Sequence, residues 1–112
     1  MTHNMKLHLQ PFEMIKKGQK TFELRLYDEK RRKINLNDTI IFTNKNGEEL
    51  TVSVKALHKF SSFKELYEAL PLEKCGYSKE ELPTASYTDM LDYYPNESQK
   101  KYGVLAIEIA LI

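Results

Sequence analysis

Between Thr21 and Tyr27 apolar and polar residues alternate without a break, with Phe22, Leu24 and Leu26 on one side and Thr21, Glu23, Arg25 and Tyr27 on the other. A period of two is the signature of a strand, and this is its cleanest instance in the chain. Met5, Leu7 and Leu9 alternate in the same way with Lys6, His8 and Gln10, which predicts a shorter strand upstream. Between the two the period changes. Pro11 fits the first turn of a helix, Phe12, Met14 and Ile15 form an apolar stripe, and Gly18 sits where a helix stops, so about two turns are expected over residues 11–17.

Further on, Ile40-Ile41-Phe42 and the alternating run Leu50, Val52, Val54, Ala56 flank Asn46-Gly47, a dipeptide that accepts the positive φ angles of a tight hairpin. Asn35 to Asp38 reads as a turn, because Asn tolerates left-handed backbone and Asp can bond its own main chain. Ser62 to Glu65 and Ser78 to Glu81 both match a capping box. The first precedes Phe63, Leu66, Tyr67 and Leu70 at helical spacing and is stopped by Pro71; the second is cut short by Pro83. Ser86 to Tyr94 is a further short helix, closed by Pro95. Val104 to Ile112 is apolar except for Glu108, which suits a strand buried on both faces. The order strand, helix, strand, hairpin, two or three helices, strand predicts an α+β fold around a small, mostly antiparallel barrel with peripheral helices.

A length of 112 residues fits one domain spanning 1–112, and 41% hydrophobic residues can fill a core without disulfide staples. Cys75 is the single cysteine, so no internal disulfide forms and a reducing, cytoplasmic setting is expected. No His/Cys cluster has metal-ligand spacing, and no cofactor is implied. No apolar run approaches the roughly 18 residues of a membrane span. A monomer or weak dimer is expected. The net charge of +1 conceals an asymmetry: residues 1–60 carry nine Lys, three Arg and seven acids, whereas residues 61–112 carry five Lys and nine acids. A domain polarised in this way can turn one basic face toward phosphates.

The candidate chemistry lies in Gly18-Gln19-Lys20-Thr21-Phe22-Glu23-Leu24-Arg25, which resembles the G-x-K-T-x-E-x-R signature of the ASCH (activating signal cointegrator homology) family within the PUA-like superfamily. Leu26-Tyr27-Asp28 extends the signature strand. Ile34 to Phe42 resembles the family's I-x-x-G-D-x-I-x-F turn and strand, with Asn37 in place of the usual Gly, and Tyr102-Gly103-Val104-Leu105-Ala106-Ile107 resembles its closing strand. The resemblance implies a PUA-like β-barrel with a cleft beside the signature, and RNA or a nucleoside or nucleotide as ligand. Lys20 then offers a mobile cation to a phosphate or serves as a base; Glu23 and Arg25, two apart on one strand face, offer a carboxylate and a guanidinium fork to a base edge or a phosphate. Thr21 shares that face. Arg31 and Arg32 form a basic loop able to touch phosphates, and Tyr27, Tyr93, Tyr94 and Tyr102 can stack on bases.

Some short bacterial ASCH proteins, which this chain resembles in size, are N4-acetylcytidine amidohydrolases that use the signature Lys, a Thr three positions later and a distal Glu. Here Lys20 matches the Lys, Glu23 stands where the Thr would be, and Glu80 and Glu81 are the candidates for the distal Glu. A carboxylate does not do the work of a hydroxyl nucleophile. The expected function is therefore binding, with metal-independent hydrolysis by Lys20 and Glu23, on acetylated cytidine or on RNA as a ribonuclease, as the alternative.

Overall fold

The computed structural model describes residues 1–112. Five strands form one sheet: β1 (Thr2–Lys6), β2 (Phe22–Leu26), β3 (Thr39–Thr43), β4 (Glu49–Phe60) and β5 (Val104–Leu111), in the order β1-β3-β4-β5-β2. Every pairing is antiparallel except β1 with β3. The sheet curls into a half-barrel, as the hydrophobic pattern leads one to expect. Three helices, α1 (Leu9–Lys16), α2 (Phe63–Ala69) and α3 (Asn96–Tyr102), pack around it, with 3-10 turns at Arg31–Lys33, Leu72–Lys74, Leu82–Thr84 and Tyr87–Asp92. No helix is long and apolar enough to cross a membrane.

The alternation of β5 divides the core in two. Leu105, Ile107 and Ile109 point into the barrel, where they meet Phe12 and Ile15 of α1, Phe42 of β3, and Val52 and Val54 of β4. Val104 and Ala106 point outward beneath Phe63 and Leu66 of α2, joined there by Phe22 and Leu24 of β2. β5 is thus covered on both faces, the condition its near-continuous apolar sequence requires. A register shift between Val54 and Ala56 lets the long β4 bend around it.

Three expected boundaries move, one of them that of α1, which runs Leu9–Lys16 and not over residues 11–17. The first strand is Thr2–Lys6 rather than the stretch through Leu9, because the ladder ends where the Leu7 N–H bonds the Thr43 carbonyl, and His8 already caps α1. Pro95 does not close the segment before it; it is the N-cap of α3. The turn before β3 forms as expected, with Asn37 at φ 69° and the Asp38 carboxylate accepting the Asn35 N–H at 3.0 Å. The same carboxylate meets His3 Nε2 at 2.8 Å and the terminal ammonium at 3.3 Å, which fastens β1 to the turn.

Candidate functional site

Glu23 and Arg25 pair across the ladder with Ile107 and Leu105, so the polar face of β2 looks toward the inside of the barrel. β2 is an edge strand, and these two residues lie at the seam where the sheet is open. Glu23 is only 3% exposed. Its Oε1 lies 2.8 Å from Lys20 Nζ, and its Oε2 accepts the Arg25 Nε–H at 2.7 Å. Arg25 reaches farther still and donates from Nη2 to the Lys6 carbonyl at 2.9 Å, while Lys30 Nζ donates to the Asn4 carbonyl at 3.3 Å. Side chains, not backbone bonds, therefore stitch β1 to the β2 side of the seam. Burial alone raises the Glu23 carboxyl; the adjacent Lys20 and Arg25 charges outweigh it and hold the group below the usual carboxylate range. Burial disfavours the Arg25 charge, and Glu23, with Tyr94 beside it, more than restores it.

The local chain directs Lys20 to this place. Gly18, at φ 79°, ends α1, and the N–H groups of Gln19 and Lys20 both bond the Met14 carbonyl. Thr21 N–H then bonds the Lys74 carbonyl, which brings the segment around Cys75 and Gly76 against Lys20. Gly76 has φ 111°, and a Cβ there would lie 3.3 Å from Lys20 Cδ. The position needs glycine both for its backbone and for the close approach. The Cys75 thiol beside it is pushed up to about 11, chiefly by burial and against the pull of Lys20, which favours its protonated form at neutral pH.

Lys20, Glu23 and Arg25 form the floor of a cleft of about 950 Å³. Lys6, His8 and Lys45 from the first half of the chain also line it. Tyr67, Tyr77, Tyr93 and Tyr94 make up a tyrosine wall, together with Glu81, Asp89 and Asp92, and His8 approaches it at Tyr93 with 6.4 Å between ring centroids. The charge asymmetry of the sequence thus reappears in the lining. Tyr94 lies near-parallel to Phe63 at 5.7 Å, and its phenol is raised, first by burial, against the pull of Arg25 and Arg31. Buried Gln99 of α3 holds this wall: its Nε2 donates to the Tyr94 carbonyl, and its Oε1 accepts the otherwise unpaired Phe63 N–H at the start of α2. No group of three or more His, Cys, Asp or Glu residues is placed to hold a metal ion.

Of the candidate residues, Lys20, Glu23 and Arg25 converge on the cleft, and Tyr93 and Tyr94 join them. Thr21 lines a separate hollow of about 180 Å³ with Ile15 and Ile109. Arg31 and Arg32 lie outside the cleft: Arg31 pairs with Asp28 at 2.9 Å, and Arg32 donates to the Tyr102 carbonyl while its guanidinium covers the Tyr27 ring at 4.2 Å. Tyr27 and Tyr102 are likewise outside, and of the two distal glutamates only Glu81 lines the cleft. Lys6, Lys45, Tyr67 and Tyr77 were not among the candidates. Tyr67 reads in sequence as part of a helical core stripe, and only its place at the inner end of α2 turns its hydroxyl into the cleft wall.

The family model of the ASCH domain matches residues 5–112, the signature segment included. The chain belongs to the ASCH domain family. This ASCH domain is also similar along its whole length to two solved structures. The crystal structure of hypothetical protein PH0355 shares 42% identity, covers 100% of both chains and has a TM-score of 0.83. The solution NMR structure of protein PF0455 from Pyrococcus furiosus shares 38% identity, covers 100% of this chain and 98% of that one, and has a TM-score of 0.72. No curated protein matches this ASCH domain.

Proposed function

We propose that this ASCH domain binds RNA or a nucleotide in the cleft, with a base between the tyrosines and the phosphate backbone along Lys6 and Lys45. The observation that carries the reading is the floor. Lys20 and Arg25 share one carboxylate between them, which leaves an excess positive charge in a place shielded from water. Such a charge attracts phosphate or a base carbonyl more strongly than an exposed lysine does. The tyrosines that line the cleft supply sequence-tolerant stacking surface. The association of ASCH domains with RNA points the same way.

Hydrolysis is the second reading, favoured by the presence of Lys20, Glu23 and Glu81 on one cleft. Against it, a carboxyl held below its usual range by two cations is a weak base. Titration of the protein with a labelled oligoribonucleotide, beside incubation with N4-acetylcytidine, separates the two. Salt-sensitive binding that is lost in Lys20→Ala, with neither substrate turned over, supports binding. Turnover that disappears in the same variant assigns the hydrolase, and the absence of any engagement overturns both.

A further inference from the structure

On the tyrosine wall, two phenols and a carboxylate form a hydrogen-bonded series with only one possible polarity. Tyr77 Oη donates to Asp89 Oδ2 at 2.8 Å, and the same oxygen accepts the Ser86 N–H at 3.2 Å. A phenol has a single hydrogen. Because that of Tyr77 is engaged by Asp89, the 2.7 Å bond between the Tyr67 and Tyr77 hydroxyls must run from Tyr67 to Tyr77. Neither hydroxyl then has a free hydrogen to offer the cleft that both residues line, and the Tyr67 oxygen, which donates to Tyr77 and accepts from no protein group, keeps its acceptor capacity. Burial, the largest cause, pushes the Tyr67 phenol up to about 12 and raises that of Tyr77 as well, so neither hydrogen is lost at neutral pH. The rings pack edge to face at 5.9 Å and join α2, the Gly76 loop and the 87–92 turn. The acceptors are therefore held in place.

We infer that this wall selects nucleobases bearing an exocyclic amino group over those with a carbonyl at the same position. The inference rests on the nucleotide reading of the cleft given above. An amino N–H finds the Tyr67 oxygen as a ready acceptor. A carbonyl in its place sets lone pair against lone pair and gives up its water without replacement. A site built to pair with a polar group rejects the analogue lacking it far more strongly than an apolar pocket does.

Calorimetric titration with CMP against UMP, and with AMP against IMP, tests this in pairs that differ in amino versus carbonyl. The amino member of each pair is expected to bind at least about tenfold tighter, the value of one well-placed hydrogen bond. In Tyr67→Phe the CMP affinity falls, while the UMP affinity holds or rises as the opposed lone pairs are removed, so the two converge. In Tyr77→Phe the Tyr67 hydroxyl loses the oxygen it donates to, its hydrogen becomes free to meet a carbonyl, and UMP binding rises relative to CMP. A merely structural role for either tyrosine would weaken both nucleotides alike. The same titrations with C5 and U5 oligoribonucleotides tell whether the base arrives free or on a strand. Equal affinity within each pair, or preference for the carbonyl member, overturns the selectivity and leaves nucleotide binding standing. Failure of every nucleotide and oligonucleotide to bind overturns both.

Discussion

Glu23 is held by two cations and has almost no water around it, and this makes it the residue most sensitive to substitution. Glu23→Gln leaves two buried positive charges facing each other, and unfolding in urea at neutral pH should register a loss of about 3–5 kcal/mol. The pH dependence has a definite sign. Glu23 lies below its ordinary 4.5 in the folded chain, and Asp38 falls from 3.8 to about 2, through the His3 hydrogen bond first and the Asn35 N–H next. The unfolded chain therefore binds these protons more readily, so stability is complete above about pH 5 and declines as the pH falls toward about 2. Urea midpoints measured across that range should drop, and the Glu23→Gln, Asp38→Asn double variant should show a flatter profile. Gly76→Ala is a second probe. Its φ of 111° alone costs an alanine about 1–3 kcal/mol, and the new methyl displaces Lys20, so ligand affinity should fall together with the unfolding midpoint.

Among the elements, β1 depends on bonds that a backbone diagram omits. Arg25 and Lys30 cap the Lys6 and Asn4 carbonyls on its outer edge, so Arg25→Lys, which keeps the charge but loses the planar fork, should speed hydrogen exchange of the amides of residues 2–6. Gln99→Ala should cost about 1–3 kcal/mol in urea unfolding, because it orphans the Phe63 N–H and the Tyr94 carbonyl together. The strands were legible in sequence because hydrophobic patterning is a local property: β2 and β4 follow from alternation, β3 and β5 from short continuous apolar runs. α3 was not, since Asn96–Tyr102 has no apolar stripe and only Gln99 buried. Leu9 misled for the opposite reason: the extended backbone of the cap residue His8 carries the alternation on to Leu9, three residues past the end of β1. Alternation also could not tell that the polar face of β2 looks inward. A period of two separates the faces of a strand without saying which is covered, and here both are.

At the scale of the whole molecule, both halves of the chain line the cleft, Lys6, Arg25 and Lys45 from the first and Glu81, Asp89, Asp92 and four tyrosines from the second. Lys6→Ala and Lys45→Ala should each weaken RNA binding about equally for every sequence tested, and each should lower the salt slope by about one. The charge imbalance was visible in the sequence. The juxtaposition was not, because it arises from pairings between residues far apart along the chain, such as Phe22 with Glu108. Those pairings all pass through β5, which joins β4 to β2 and is the last of the five strands to be made. On the ribosome, β2 and its signature residues have no neighbour in the sheet until the stretch beyond Gly103 emerges. High contact order of this kind slows folding. The cleft thus takes shape late, well after its own motif has been synthesised, and a nascent chain stalled before that point presents Lys20, Glu23 and Arg25 without it.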